Sequence, residues 1–538
     1  MNNFATIGSA YRRRAMHNLS MERTQTQKMG QLVPIDCYEV LPGDRIKSWT
    51  DMVVRISPLL APIMSQIDAT IHCWFVPNRL IWEDWEEFIT GGKDNDPTTA
   101  PVAPTITITD YSPGTLADYL NVNGKDTLPN DASHPSRMHP LTVSALPFRV
   151  YDFVYNNCYR DENLQDEVGF STASGPDTTT NVNLLNRCWN ADRFTKAQPW
   201  PQRGPSVQIP ISGSAGVTGN IAIEANGVLA GTSNGNTANI QTNGASGANI
   251  RFDRSSTFGS YQDLSYASGL KATHDLEADL SGASATDIRT LRIAEQLQAW
   301  AELSASAGYR YVENTLAHFG IRIPDARLQR PEFLGGGKSP VVVSEVLQTS
   351  STDSTSPQGN MAGHAFSAQR SNGFNKTFVE HGFVLVLLNV QPKTQYQQGI
   401  PKMFFRDTKE SYFWPMFENI GEEAIYNREL FAQGDNVLDD GGNVIDKKVF
   451  GYGPRYQDYR VRTNEVHGQF KTTLAYWHTG RIFENLPQLS SAFVTADNVT
   501  RINADPSTDN VYVSMNNNVH ALRPVGRVST PGLFIMKR

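Results

Sequence analysis

Cysteine is scarce in this chain, and its placement suggests neither a disulfide framework nor a metal site. The four cysteines, Cys37, Cys73, Cys158 and Cys188, include no C-x-x-C pair and fit no zinc spacing. They read as buried, reduced thiols of a cytosolic product. No apolar run approaches the roughly twenty residues that cross a bilayer. The opening MNNFATIGSAYRRR has no apolar core behind its charges, so neither a signal peptide nor a membrane span is expected. Charge is sparse too: Asp, Glu, Lys and Arg make up 19% of 538 residues, with a net charge of −7. A global basic field for nucleic acid is therefore excluded, and any such contact must be local. The eleven histidines contain no H-E-x-x-H, and His72 beside Cys73 in a strand would point to opposite faces. No cofactor is expected.

One stretch imitates a nucleotide site. Residues 332–343, EFLGGGKSPVVV, end like a phosphate-binding loop, but the first glycine of that motif falls on Glu332, whose carboxylate would repel a polyphosphate. The helix the motif must open is replaced by Pro340 and three β-branched valines, which favour a strand. Two other imitations fail in the same way. GTSNG at 231–235 has the spacing of a nucleophile elbow but low-complexity flanks, where that motif needs a buried strand and a helix. GDNVLDDGGNVID, from Gly434, lacks the spacing and closing Glu of a calcium loop and reads as a hairpin tip.

What is present is aromatic residues (10%), 41 glycines and 30 prolines, a mixture suited to many strands joined by long loops. Residues 32–81 alternate apolar and polar positions in short runs, predicting three or four strands. FVEHGFVLVLLNVQP has a continuous apolar core that predicts a strand buried on both faces. Helices are predicted at 82–89, from Pro147 through PFRVYDFVYNNCYRDE, and over DIRTLRIAEQLQAWAELSA, with Leu291, Ala294, Leu297 and Ala301 as an apolar stripe and Gly308 as its stop. The class that fits is mainly β: a double-sheet sandwich of jelly-roll type, with long loop insertions and a few helices.

Three regions are predicted. Residues 1–31 form a basic arm, with Arg12, Arg13, Arg14, Arg23 and Lys28 against Glu22 alone, and are candidates for contact with nucleic acid. Residues 32–204 and 286–538 form a discontinuous sandwich. Residues 205–285, rich in Gly, Ser, Thr and Asn, form a surface insertion whose spaced Val, Ile and Leu residues suit short strands. From 205 to 250 it carries no Lys or Arg and one acid, Glu224. In the last third, Tyr452, Arg455, Tyr456, Tyr459 and Arg460 crowd rings and guanidinium groups together, a composition enriched at protein interfaces.

The runs LVPIDCYEVLPGDRIKSWTDMVVRISPLLAPIM, CWFVPNRLIWEDWEEFITGG, RPEFLGGGKSPVVVSEVLQTS and FGYGPRYQDYRVRTNEVHG resemble the major capsid protein of microviruses, in particular the gokushovirus-like branch. The likeness covers most of the chain outside 205–285. In that family a Pro-Glu-aromatic-Leu-Gly-Gly stretch is matched here by Pro331 to Gly336, which implies that the glycines belong to a structural loop before a strand. The opening follows the family only loosely. The resemblance implies an eight-stranded antiparallel jelly-roll sandwich of the viral capsid type, a non-enzymatic subunit assembled through pentamers into a shell of sixty copies around a circular single-stranded DNA genome. It also implies an interior arm, an insertion projecting near the threefold axes, and as partners small DNA-binding and pilot proteins and a bacterial receptor. Its place would be the virion, and the host cytoplasm during assembly. A jelly-roll carbohydrate-binding protein and a phage host-binding spike protein share the strand pattern and are the alternatives.

Overall fold

The computed structural model describes residues 14–90, 100–122, 140–204, 288–307, 316–321, 324–325, 329–347 and 361–527, with short strands between Gly216 and Asp279. It divides into two compact units, residues 206–298 and the remainder.

The larger unit is built on one antiparallel sheet. Its strands are β1 (Ala15–Asn18), β2 (Met21–Gln27), β3 (Leu32–Val40), β4 (Arg45–Ile56), β5 (Ile67–Pro77), β6 (Glu332–Leu347), β7 (Met361–Arg370), β8 (Phe374–Thr377), β9 (Gly382–Pro392) and β10 (Val511–Arg523). They occupy eight lateral positions in the order β1/β2, β10, β4, β7/β8, β6, β5, β9, β3, because β1 and β2 share one edge of β10 while β7 and β8 share one edge of β4. The long strand β6 joins the two halves, since Glu332–Val341 pairs with β5 and Val342–Leu347 with β7. The sheet thereby curls into a half-barrel of the jelly-roll kind, as the alternating pattern predicts.

Strand alternation decides which side chains meet inside. Ile46, Met52, Val54 and Ile56 of β4 face Ile67, Ala69, Ile71 and Cys73 of β5, Val384, Val386, Leu388 and Val390 of β9, and Val511, Val513 and Met515 of β10. The other face of β9, with Phe383, Leu385 and Leu387, is covered by α1 (Leu146–Cys158) through Phe148, Val150, Tyr151 and Val154. All eleven residues of β9 are buried, as its unbroken apolar run requires. Helix α1 is locked from both ends of its buried face: Arg149 donates to Asp177 at 2.8 Å and to the Ile81 and Ala173 carbonyls, and the Tyr151 hydroxyl donates to the Leu32 carbonyl. A third cluster, including Phe194, Tyr396, Ile425, Phe450 and Phe493, supports the strand pair Glu422–Tyr426 and Val449–Pro454.

The smaller unit contains nested antiparallel pairs: Gly216–Thr218 with Glu277–Asp279, Ile221–Ala225 with Leu270–His274, and Asn239–Gln241 with Arg251–Asp253. Helix α2 (Ile288–Ala307) follows. Its buried positions are the small residues Ala301, Ser304 and Ala305, whereas Leu291 and Leu297 of the expected stripe are exposed.

Candidate functional site: the arm, the glycine strand and the aromatic-arginine segment

The glycines that imitate a phosphate loop lie inside β6, which corrects the expected loop before a strand. Gly335, Gly336 and Gly337 pair with Cys73, His72 and Ile71 of β5, after a bulge at Phe333. A Cβ on Gly336 would sit 2.3 Å from the Ile71 carbonyl oxygen, and one on Gly335 would press on the backbone of Asn372 and Gly373. Close backbone approach on two sides is therefore what demands glycine here. Lys338 is held by Asp68 at 2.7 Å. On β5 itself, His72 meets the Tyr159 hydroxyl at 2.7 Å, burial lowers its pKa to about 4, and Cys73 points into the opposite core.

Elsewhere the hairpin reading of 434–446 is visible in the bonding: Asp439 accepts from the backbone of Gly441 and Asn443, and Leu438 bridges Val444. The pKa of Asp439 is depressed, first by Lys448 and then by the Asn443 amide. Residues 231–235 lie outside the described residues. Among the described residues no cluster of three His, Cys, Asp or Glu side chains is arranged to hold a metal, no helix is long and apolar enough to cross a membrane, and all four cysteines are free. Of those thiols only Cys73 is fully buried.

The basic segment divides into three kinds of position. Arg12 and Arg13 lie outside the described residues, and Arg14 and Lys28 are exposed. Arg23 departs from the expected free arm. Residues 15–27 alternate between half-buried and exposed and add two strands to the edge of β10, so the Arg23 guanidinium is drawn into the body. It donates to the Ile35 carbonyl at 3.0 Å and the Tyr119 carbonyl at 2.7 Å. Burial lowers its pKa, and Asp36 and Asp118 pull it back up. It lines a cavity of about 730 Å³ whose other charged walls are Glu22, Asp36, Asp118 and Asp509. Four carboxylates against one guanidinium make this a poor seat for phosphates. Within that cavity Asp36 is buried beside Asn517, whose amide donates to it, and burial raises its pKa to about 6.

The aromatic-arginine segment is brought together but not all of it faces outward. Tyr456 is the correction: only 1% of it is exposed. Its backbone is left-handed at φ 60°, which turns the ring inward onto Phe413, and its hydroxyl donates to the carbonyls of Glu410 and Tyr412 at 2.8 and 2.9 Å. A ring used this way cannot meet a neighbouring molecule. Arg455 also bonds the Glu410 carbonyl, at 2.9 Å, and Tyr452 is half-buried against Gln198. Tyr459 and Arg460 remain open, Tyr459 under the Arg406 guanidinium at 4.3 Å and Arg460 paired with Glu418. Reasoning from sequence missed residues 400–420, whose Phe, Tyr and Trp density was the available signal.

A curled antiparallel sheet with helices and long connections on its outside defines the class: a structural jelly-roll protein of the viral capsid type. The comparisons with known proteins carry this further. A family model described as capsid protein (F protein) matches residues 5–533, and the chain belongs to that family, in agreement with its resemblance to gokushovirus-like major capsid proteins. It is 36% identical to capsid protein VP1 of Bdellovibrio phage phiMH2K, over 92% of this chain and 90% of the relative. Similarity to capsid protein VP1 of Chlamydia phage 1 is 33% over 99% and 98%, and to that of Spiroplasma virus 4 it is 33% over 94% and 92%. The chain is thus a structural protein rather than an enzyme.

Proposed function

We propose that this chain self-assembles, through pentamers, into a closed icosahedral shell of sixty copies around a circular single-stranded DNA genome. The single observation that supports this best is family membership along nearly the whole chain, including both halves of the sheet that bracket the smaller unit. The sheet gives a rigid plate, and the segments outside it give the surface on which copies meet. Genome contact falls to the exposed Arg14 and Lys28 with Arg12 and Arg13, on the inner side of the shell; Arg23 is committed within the chain. The smaller unit faces outward near the threefold axes and recognises a bacterial receptor. Small DNA-binding and pilot proteins of the phage are the further partners, with assembly in the host cytoplasm and the virion as final location.

Negative-stain electron microscopy of the protein purified with its phage partners tests this, combined with nuclease protection of the nucleic acid inside. Megadalton shells that protect circular single-stranded DNA are expected. A product that stays a small oligomer would favour the carbohydrate-binding alternative.

A further inference from the structure

Between residues 403 and 416 the chain turns out to water what a loop ordinarily turns in. Met403, Phe404, Tyr412, Phe413, Trp414 and Met416 are between 46 and 86% exposed. Side chains of this size present about 150–250 Å² each, so at that exposure the six leave on the order of 700 Å² of apolar surface. Summed over the six, that approaches the ~800 Å² per partner of a stable interface.

The segment is pinned in this posture. Arg428 stacks on Phe405 at 3.8 Å, Lys402 pairs with Glu423, and Arg406 pairs with Asp458 while covering Tyr459. The Tyr456 hydroxyl and Arg455 hold the Glu410 carbonyl from beneath. Lys402, Arg406 and the Glu410 carbonyl thus tie the segment with its short turns, Lys402–Phe405, Lys409–Ser411 and Pro415–Ile420, to the body while its rings stay exposed. Beside the patch Arg406 is matched by Asp458, Lys402 by Glu423 and Arg460 by Glu418, while within the segment Asp407 is exposed and Lys409 lies 3.7 Å from Glu410. An occupant bearing phosphates gains little there, whereas an apolar protein surface gains a great deal.

We infer that residues 403–416, continued by Tyr459, form a contact surface between copies of this chain, with Trp414 and Met416 as the central anchors. This rests on the reading of the chain as a self-assembling shell protein. The patch has the size for such a contact, the preorganisation that lowers its entropic cost, and neighbouring cations Lys402, Arg406 and Arg460 already paired within the chain.

Sedimentation of the purified full chain across a concentration series tests it, beside the triple variant Phe404→Ser, Trp414→Ser, Met416→Ser and the control Val379→Ser, which removes an isolated apolar residue 84% exposed. The triple variant is expected to keep the wild-type circular dichroism and melting temperature while self-association weakens by about 100-fold or more. Assembly within threefold of wild type, or an equal loss in the control, would overturn the proposal and leave the shell reading standing. A wild-type chain that remains monomeric at every concentration defeats the shell reading and this surface with it. Should the triple variant not fold, a photo-crosslinking amino acid in place of Trp414 in the otherwise native chain answers the same question: covalent dimers are expected, and their absence from assembled material overturns the assignment.

Discussion

Tyr456 and Arg460 are neighbours in sequence with opposite energetic roles. Removing the Tyr456 hydroxyl deletes bonds to two carbonyls, so Tyr456→Phe should cost about 1–2 kcal/mol, and Tyr456→Ala, which also opens a cavity, about 3–5 kcal/mol. Arg460→Ala breaks an exposed pair and should cost at most ~1 kcal/mol. Urea denaturation of the three variants checks this order, and equal midpoints would refute it. Sequence revealed the density of rings and guanidinium groups but not which ring turns inward, because a left-handed tyrosine leaves no mark in composition. Asp36 gives a second residue-scale test. Its carboxyl is raised in the folded state to about 6 from an ordinary 3.8, so the folded chain holds the proton more tightly than the unfolded chain. Below the ordinary value both states are protonated and there is no penalty. As pH climbs from about 4 to 6 the folded state loses stability relative to the unfolded, and the loss is complete above 6, on the order of 1–3 kcal/mol. Asp36→Asn should therefore flatten this part of the stability profile and gain most over wild type near pH 7. A difference between the two proteins that does not change from pH 4 to 7 would show that Asp36 does not titrate in this window.

Among the elements, those with an unbroken pattern were legible and those shaped by a neighbour were not. The apolar run of β9 and the aromatic spacing of α1 predicted their structures because burial on both faces, or along one helix stripe, leaves a sequence period. The glycines of β6 misled, since a Gly-Gly-Gly run looks like a loop until β5 and the bend between β7 and β8 are known to crowd it from either side. The edge strands β1 and β2 were hidden by their polarity: half of each faces water, and the basic residues read as an arm. In α2 the expected stripe holds at Ala301, but its Leu291 and Leu297 are exposed, and among the described residues the other buried positions are Ser304 and Ala305. The β6 account predicts that Gly336→Ala, elsewhere one of the mildest changes to a strand, costs about 1–3 kcal/mol or more, because the Ile71 carbonyl is backbone and cannot rotate away. Thermal melting of the variant would show it. An unchanged melting temperature would mean that β5 and β6 separate freely, against the pairing described.

At the scale of the whole molecule composition marks residues 205–285 as an insertion, while the smaller compact unit spans Ser206–Gln298, past the start of α2. Composition changes where the low-complexity run stops, while the compact unit stops only where the chain rejoins the larger one. The first strand pair of that unit shows how to remove it. Thr218 lies opposite Glu277, so joining these two residues by a two-residue Asn-Gly turn deletes 219–276 and leaves a natural hairpin. Loop closure depends only weakly on length, each doubling costing about 0.6 kcal/mol. The shortened chain should melt within a few degrees of wild type and still form shells. If the smaller unit recognises the host, those shells should fail to adsorb to host cells, by at least about tenfold, while protecting DNA as before. Insoluble protein would reveal that the larger unit depends on the smaller for folding, and undiminished adsorption would move host recognition elsewhere on the shell.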